Sequence, residues 1–199
     1  MASIIKVDDV LDAAGNNIIN EAGDVITIGA SGDTINIASG ATNNLGITEV
    51  DQWYLTTAKP DNSDITANLA RVAENGAGRL GTGMSESSGI FSFPSTGIWK
   101  VEFAGDFQIA AGDNASVSIQ VTTNDSAYAE FNSAGVSNKA ASGTAAGVDN
   151  GQCSAILDVT DVANVKVKFT TASFATNTEL NGGTTPIKTN FVFTRLGST

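Results

Sequence analysis

The chain of 199 residues carries 21 acidic against 10 basic side chains, a formal net charge of −11, with no histidine and a single cysteine. That balance argues against nucleic acid as a partner, because phosphate binding needs clustered Lys and Arg. It also removes imidazole bases and zinc ligands, Ser-His and Cys-His nucleophile pairs, internal disulfides and Cys-based metal clusters. No stretch approaches the ~20 apolar residues of a membrane span, so no membrane insertion is expected. Met1-Ala2-Ser3 leads into Ile4-Ile5-Lys6 without an apolar segment of signal-peptide length, and the expectation is a soluble protein made in a cytoplasm.

Residues 1–14, MASIIKVDDVLDAA, form a short apolar-then-acidic lead. Val7, Val10 and Leu11 fit one helical face, and Ile4 to Val7 fit a strand equally well. A lead of this size cannot bury itself and is expected to dock elsewhere. Its candidate docking residues are Ile4, Ile5, Val7, Asp8, Asp9, Val10 and Leu11. Asp8, Asp9 and Asp12 read either as a solvated acidic edge or as the complement of a basic socket.

An internal repeat follows. Gly23-Asp24-Val25-Ile26-Thr27-Ile28-Gly29-Ala30-Ser31 is succeeded directly by Gly32-Asp33-Thr34-Ile35-Asn36-Ile37-Ala38-Ser39-Gly40, and a looser copy starts at Gly15. Each unit predicts a short strand with two apolar side chains and a turn of small residues. One such strand buries almost nothing, so the units must stack or be shared between chains. Residues 15–48 therefore read as a stalk, with Ile26, Ile28, Ile35 and Ile37 at its axis. The glycines and aspartates are similar to calcium-binding nonapeptide repeats, but the GGxGxD core is missing.

The block from 49 to 199 alternates short strands with Gly-, Asn- and Ser-rich linkers, which predicts a β-sandwich or jelly roll. Predicted strands cover Trp53–Leu55, Ile90–Phe93, Ile98–Phe103, Phe107–Ile109, Val117–Val121, Ala127–Phe131, Cys153–Val159, Val165–Phe169 and Phe191–Phe193. The stretch GIFSFPSTGIWKVEF, Gly89 to Phe103, reads as an antiparallel pair about a Pro94-Ser95-Thr96-Gly97 turn, with Trp99, Val101 and Phe103 facing the core. Residues 64–74, DITANLARVAE, allow one or two helical turns before Asn75-Gly76. Residues 135–150 lack apolar periodicity and are expected to form an exposed, mobile loop. Cys153, in an apolar run, reads as a buried structural thiol. Trp53 and Trp99 read as core aromatics rather than a sugar platform. Arg71, Arg79 and Arg195 are scattered and make no visible basic patch.

Within Gly89–Trp99 the pattern G-[IV]-[FY]-x-F-P-x-x-G-[IYW]-[WY] resembles the globular heads of the C1q and tumour necrosis factor superfamily. The likeness continues through Val165–Phe169, the Asn181-Gly182-Gly183 loop and the closing Thr189–Leu196 strand. It departs in carrying Val192-Phe193 where many heads have a glycine. It implies a trimeric jelly-roll head. Residues 1 to about 40, with a KV-D leader, G-N-x-I-I-x-E and TIG-x-SGDT, look like the opening of fibre and virion-surface proteins of marine tailed phages.

Together these resemblances imply a non-enzymatic homotrimer on a virion surface. It would attach by its N-terminus to other virion proteins of capsid or tail and present its head to a host-surface glycan or protein. The alternative keeps the fold but makes the protein a capsid decoration or head fibre that adds particle stability or adhesion. Candidate receptor contacts are Tyr128 and Asn132 in one excursion, and Asn177, Glu179 and Asn181 in a later loop. An enzyme such as a depolymerase would need paired carboxylates in a groove. The best pair, Asp158 and Asp161, reads first as a turn, and the resemblance to some C1q heads offers calcium as the other role. No other cofactor is expected.

Overall fold

The computed structural model describes residues 9–11, 17–22, 25–28, 32, 34, 46–73, 76–139 and 146–199, and no helix occurs among them. The chain divides into two compact units, Met1–Asn43 and Asn44–Thr199.

In the first unit β1 (Asp9–Leu11), β2 (Asn17–Ala22) and β3 (Val25–Ile28) form an antiparallel meander. Val10 pairs with Ile19, and Ile19 with Ile28, so three apolar residues stand in one row across the sheet. Ile19 is 40% and Ile28 53% exposed. Val10 and Leu11 are thus extended, not on a helical face. Ile4, Ile5, Val7 and Asp8 of the lead, and Ile35 and Ile37 of the second repeat, lie outside the described residues.

The second unit is a sandwich of two antiparallel sheets. One has the order β10-β9-β12-β7-β6, from β6 (Ser85–Ser87), β7 (Ile90–Ser92), β9 (Asn114–Thr122), β10 (Ala129–Ser137) and β12 (Lys166–Ala172). The other has the order β11-β8-β14-β4-β5, from β4 (Val50–Leu55), β5 (Leu69–Arg71), β8 (Gly97–Ile109), β11 (Gly147–Val159) and β14 (Asn190–Gly197). The short β13 (Glu179–Leu180) pairs with β8.

Period-two alternation builds the core. In β8 every second residue from Gly97 to Ile109 is buried, including Trp99, Val101, Phe103 and Phe107. Side chains of the two sheets meet in an aromatic cluster. The Phe169 and Phe191 rings lie 4.5 Å apart and those of Phe91 and Phe193 4.9 Å, each pair joining one sheet to the other. Such pairs contribute about 0.5–1.5 kcal/mol each beyond their buried area. Phe193, at the position where the sequence departs from the C1q pattern, is fully buried in this cluster.

Four expectations change. The segment about Pro94 is not a hairpin: β7 and β8 belong to opposite sheets, and the turn carries the chain from one to the other. Alternation around a turn is the same for a hairpin and a sandwich crossover, because both put the apolar face inward. Ile98–Phe103 and Phe107–Ile109 are one continuous strand. Residues 64–73 are not helical. Ile65 is buried and its N–H donates to the Phe169 carbonyl at 2.9 Å, Asn68 has φ +60°, and β5 follows. The apolar residues Ile65, Leu69 and Val72 mimic a helical period, but sheet pairing consumes their backbone. Finally, strands occupy both ends of 135–150: β10 runs to Ser137 with Val136 buried, and β11 begins at Gly147.

An ion pair with a buried carboxylate and a part-buried guanidinium ties β4 and β5 to the segment before β6. Asp51, 1% exposed, accepts from Arg71 Nε at 2.9 Å, Trp53 Nε1 at 2.9 Å and the Met84 N–H at 2.8 Å. The Arg71 guanidinium also lies over the Trp53 ring, 4.6 Å from its centroid. Each carboxylate oxygen has a donor, which is the condition under which a buried charge is tolerated.

Candidate functional site

Strand register assigns the loops to the two ends of the sandwich. Val121 pairs with both Ala129 and Val167, and Val167 with Phe91 just before the Pro94 turn. Residues 123–128 therefore sit at the end where β8 starts, and where the chain enters the sandwich at β4. Glu179 pairs with Gln108 at the finish of β8, so the 173–189 segment belongs to the opposite, far end. The structure thus separates Tyr128 and Asn132 from Asn177, Glu179 and Asn181; the five do not form one site.

Tyr128 is half-buried on the outer face of the five-stranded sheet, beneath the Lys168 ammonium at 4.5 Å from the ring centroid. Its hydroxyl has no hydrogen-bond partner. Burial, with a smaller push from the Asp125 charge, raises its pKa, so the phenol stays neutral. Asn132 is exposed but its amide donates to the Ser154 carbonyl at 2.8 Å, clipping β10 to β11 across the open side of the sandwich. Asn177 is exposed in a turn at φ +70°, and Glu179 is half-buried in β13. Asn181 is 8% exposed and donates to Asp106 Oδ1 at 2.7 Å, so its side chain faces the protein rather than a ligand. Gly182, next to it, is held by close packing: a Cβ there would fall 2.3 Å from the Thr57 backbone.

The far end also holds a polar cleft of about 190 Å³ that the sequence reading missed, lined by Lys59, Asp61, Ser63, Asp64, Thr66 and Asn68 among others. Its signal in the sequence is the turn-forming run Lys59-Pro60-Asp61-Asn62-Ser63-Asp64. A hydrogen bond from Lys59, with another from Ser63, holds the Asp61 carboxyl below its ordinary value. Burial pushes Asp64 up, but hydrogen bonds from Lys168 at 2.7 Å and from Thr170 outweigh it and leave the group lowered. Asp113 follows the same pattern, its burial outweighed by Thr178 and the Ala175 N–H. Carboxylates held down in this way are ionised at neutral pH and are poor general acids. They can accept hydrogen bonds, as recognition of a polar ligand requires.

Asp161 caps its own turn, accepting from the Ala163 N–H at 2.8 Å and from Asn164 Nδ2 at 2.6 Å, while Asp158 projects outward from β11. Among the described residues no group of three or more His, Cys, Asp or Glu could hold a metal ion. Cys153 is buried, and burial with the nearby Glu130 charge pushes its thiol up to about 11.

No family model matches the chain, and no curated protein matches it. Solved structures do. Eiger TNF from S. frugiperda aligns with a TM-score of 0.59 at 11% identity, covering 77% of this chain and 95% of that one. Murine APRIL aligns at TM-scores of 0.55 and 0.54 in crystal structures at pH 5.0 and 8.5, at 12% and 11% identity, each covering 74% of this chain and 98% of that one. With its two antiparallel sheets and this likeness, the chain has the all-β, TNF-like jelly-roll fold.

Proposed function

We propose that the protein is a non-enzymatic, homotrimeric surface protein of a phage virion. Its N-terminal residues attach it to capsid or tail, the repeat forms a short stalk, and the jelly-roll head meets the host surface. The supporting observation is the first unit: a three-stranded meander whose register partners Ile19 and Ile28 stay 40% and 53% exposed. A sheet this small needs a covered apolar face to be stable, and further copies of the same row supply one. The TNF-like fold of the second unit and the phage-like opening of the first fit the same reading. Two clear repeats make a compact spike rather than a long fibre, which leaves a capsid decoration as the second reading.

Deleting residues 1–45 is expected to leave a folded, soluble head that no longer joins virions assembled in its presence. Incorporation of the truncated protein at the full-length level would refute the docking role. Labelling the protein on intact particles separates tail from capsid, and competition by purified trimer with adsorption tests host binding.

A further inference from the structure

The polar cleft at the far end of the head lies in the segment between β4 and β5, and that segment is pinned along its length. The Lys59 N–H donates to the Leu180 carbonyl at 2.9 Å, and the Ile65 N–H to the Phe169 carbonyl at 2.9 Å. The Asn68 carbonyl accepts from the Thr56 N–H at 2.8 Å. A cleft held in this way takes a ligand without reordering its walls, which keeps the cost of binding low.

The polar groups differ in what they have left to offer. Asp64 spends both carboxylate oxygens inside the protein, Oδ2 on Lys168 at 2.7 Å and Oδ1 on the Thr170 hydroxyl at 2.5 Å. Asp61 spends only one. Lys59 and the Ser63 hydroxyl both donate to its Oδ1, the hydroxyl at 2.6 Å. Among the described residues Asp61 Oδ2 has no donor, and the side chain is 65% exposed. The Thr66 hydroxyl and the Asn68 amide are also without a partner among those residues. The rest of the lining includes the short apolar side chains of Ala58, Pro60 and Ala67.

A free carboxylate oxygen, hydroxyl and amide accept and donate as neighbouring sugar hydroxyls require, and short apolar side chains suit the C–H face of a sugar ring. Other ligand classes fit worse. An anion would meet Asp61 and Asp64, both held ionised. A cation would have to displace Lys59 from Asp61. An apolar ligand would strand the polar lining without water. The volume of about 190 Å³ is smaller than the roughly 300–1,000 Å³ of sites for drug-sized ligands, which suits a single ring. We propose that this cleft binds one neutral hexose or N-acetylhexosamine unit of a surface glycan, with Asp61 and Asn68 hydrogen-bonded to its hydroxyls. This rests on the reading of the head as the host-binding part and names the site and the ligand class.

The test uses the full chain on an array of immobilised neutral oligosaccharides of these units, with sialylated and uronate-containing ones beside them. Asn68→Gly keeps the turn, because glycine adopts φ +60° freely, and Asp61→Ala removes an exposed carboxylate. Asp61→Ala is expected to weaken binding to the neutral glycan at least about tenfold, as loss of hydrogen bonds to a charged group does. Asn68→Gly is expected to weaken it several-fold, and Tyr128→Phe, at the opposite end, to leave it unchanged. Binding to no neutral glycan, binding to the charged ones alone, or full binding by Asp61→Ala and Asn68→Gly would overturn the proposal. Competition with adsorption separates it from the host-binding reading. If the variants block adsorption as well as the unsubstituted protein does, the cleft is refuted and host binding stands. Failure of the unsubstituted protein to block adsorption would overturn both.

Discussion

Asp51 shows how one buried charge organises a neighbourhood. Its carboxylate collects donors from Arg71, Trp53 and the Met84 backbone, so three segments distant in sequence share one acceptor. Removing the carboxylate leaves the Trp53 Nε1–H and the Met84 N–H without their acceptor, at a cost of about 1–3 kcal/mol for each buried donor, and leaves Arg71, 30% exposed, unpaired. Asp51→Ala should therefore lower the midpoint of chemical denaturation by a correspondingly large step, whereas Asp61→Ala, on an exposed pair, should move it little. Equal shifts for the two would contradict this account. Cys153 gives a second prediction at this scale. A thiol pushed up to about 11 has a thiolate fraction at pH 8 roughly 200-fold below that of an ordinary cysteine near 8.5. Native protein should react with a thiol reagent at least that much more slowly than denatured protein. Because the folded state resists ionisation, this residue's contribution to stability is intact below about pH 8.5 and declines as pH rises above it. Labelling of native protein at the unfolded rate would show the thiol to be accessible.

At the scale of elements, much was legible because period-two burial is written directly into the side chains: β8 alternates over its 13 residues and β11 from Gly151 to Val159. What alternation does not encode is which strand lies beside which. The Pro94 turn therefore read as a hairpin although it joins opposite sheets. The one or two helical turns that 64–74 allows are absent from 64–73 for a related reason. Ile65, Leu69 and Val72 keep a helical spacing, yet their inward direction comes from a bend at Asn68 followed by β5. Of the candidate contacts, Asn181 looked like a loop asparagine and is a buried strut to Asp106; a hydrogen-bond partner 75 residues away leaves no local signature. The crossover itself depends on Gly97, whose φ is +140° and whose added Cβ would fall 2.4 Å from the Gly197 carbonyl oxygen. Gly97→Ala should cost about 1–3 kcal/mol through strain at this one turn, read as a lowered denaturation midpoint with an unchanged far-ultraviolet spectrum. An unaltered midpoint would mean the turn relaxes freely.

For the whole molecule, the features left unsatisfied within one chain point the same way. Ile19 and Ile28 in the first unit, and Phe131 and Ile156 in the second, are apolar groups that a single protomer leaves in water. Composition adds a constraint: with a net charge of −11, copies repel one another at long range, and a contact that buries carboxylates needs them paired. Self-association is the simplest arrangement that covers both sets of residues and respects that charge. The most direct test is the absolute mass of the full chain in solution by light scattering, at moderate ionic strength and micromolar concentration. Three copies per particle are predicted; a monomer of 20.3 kDa would contradict the account.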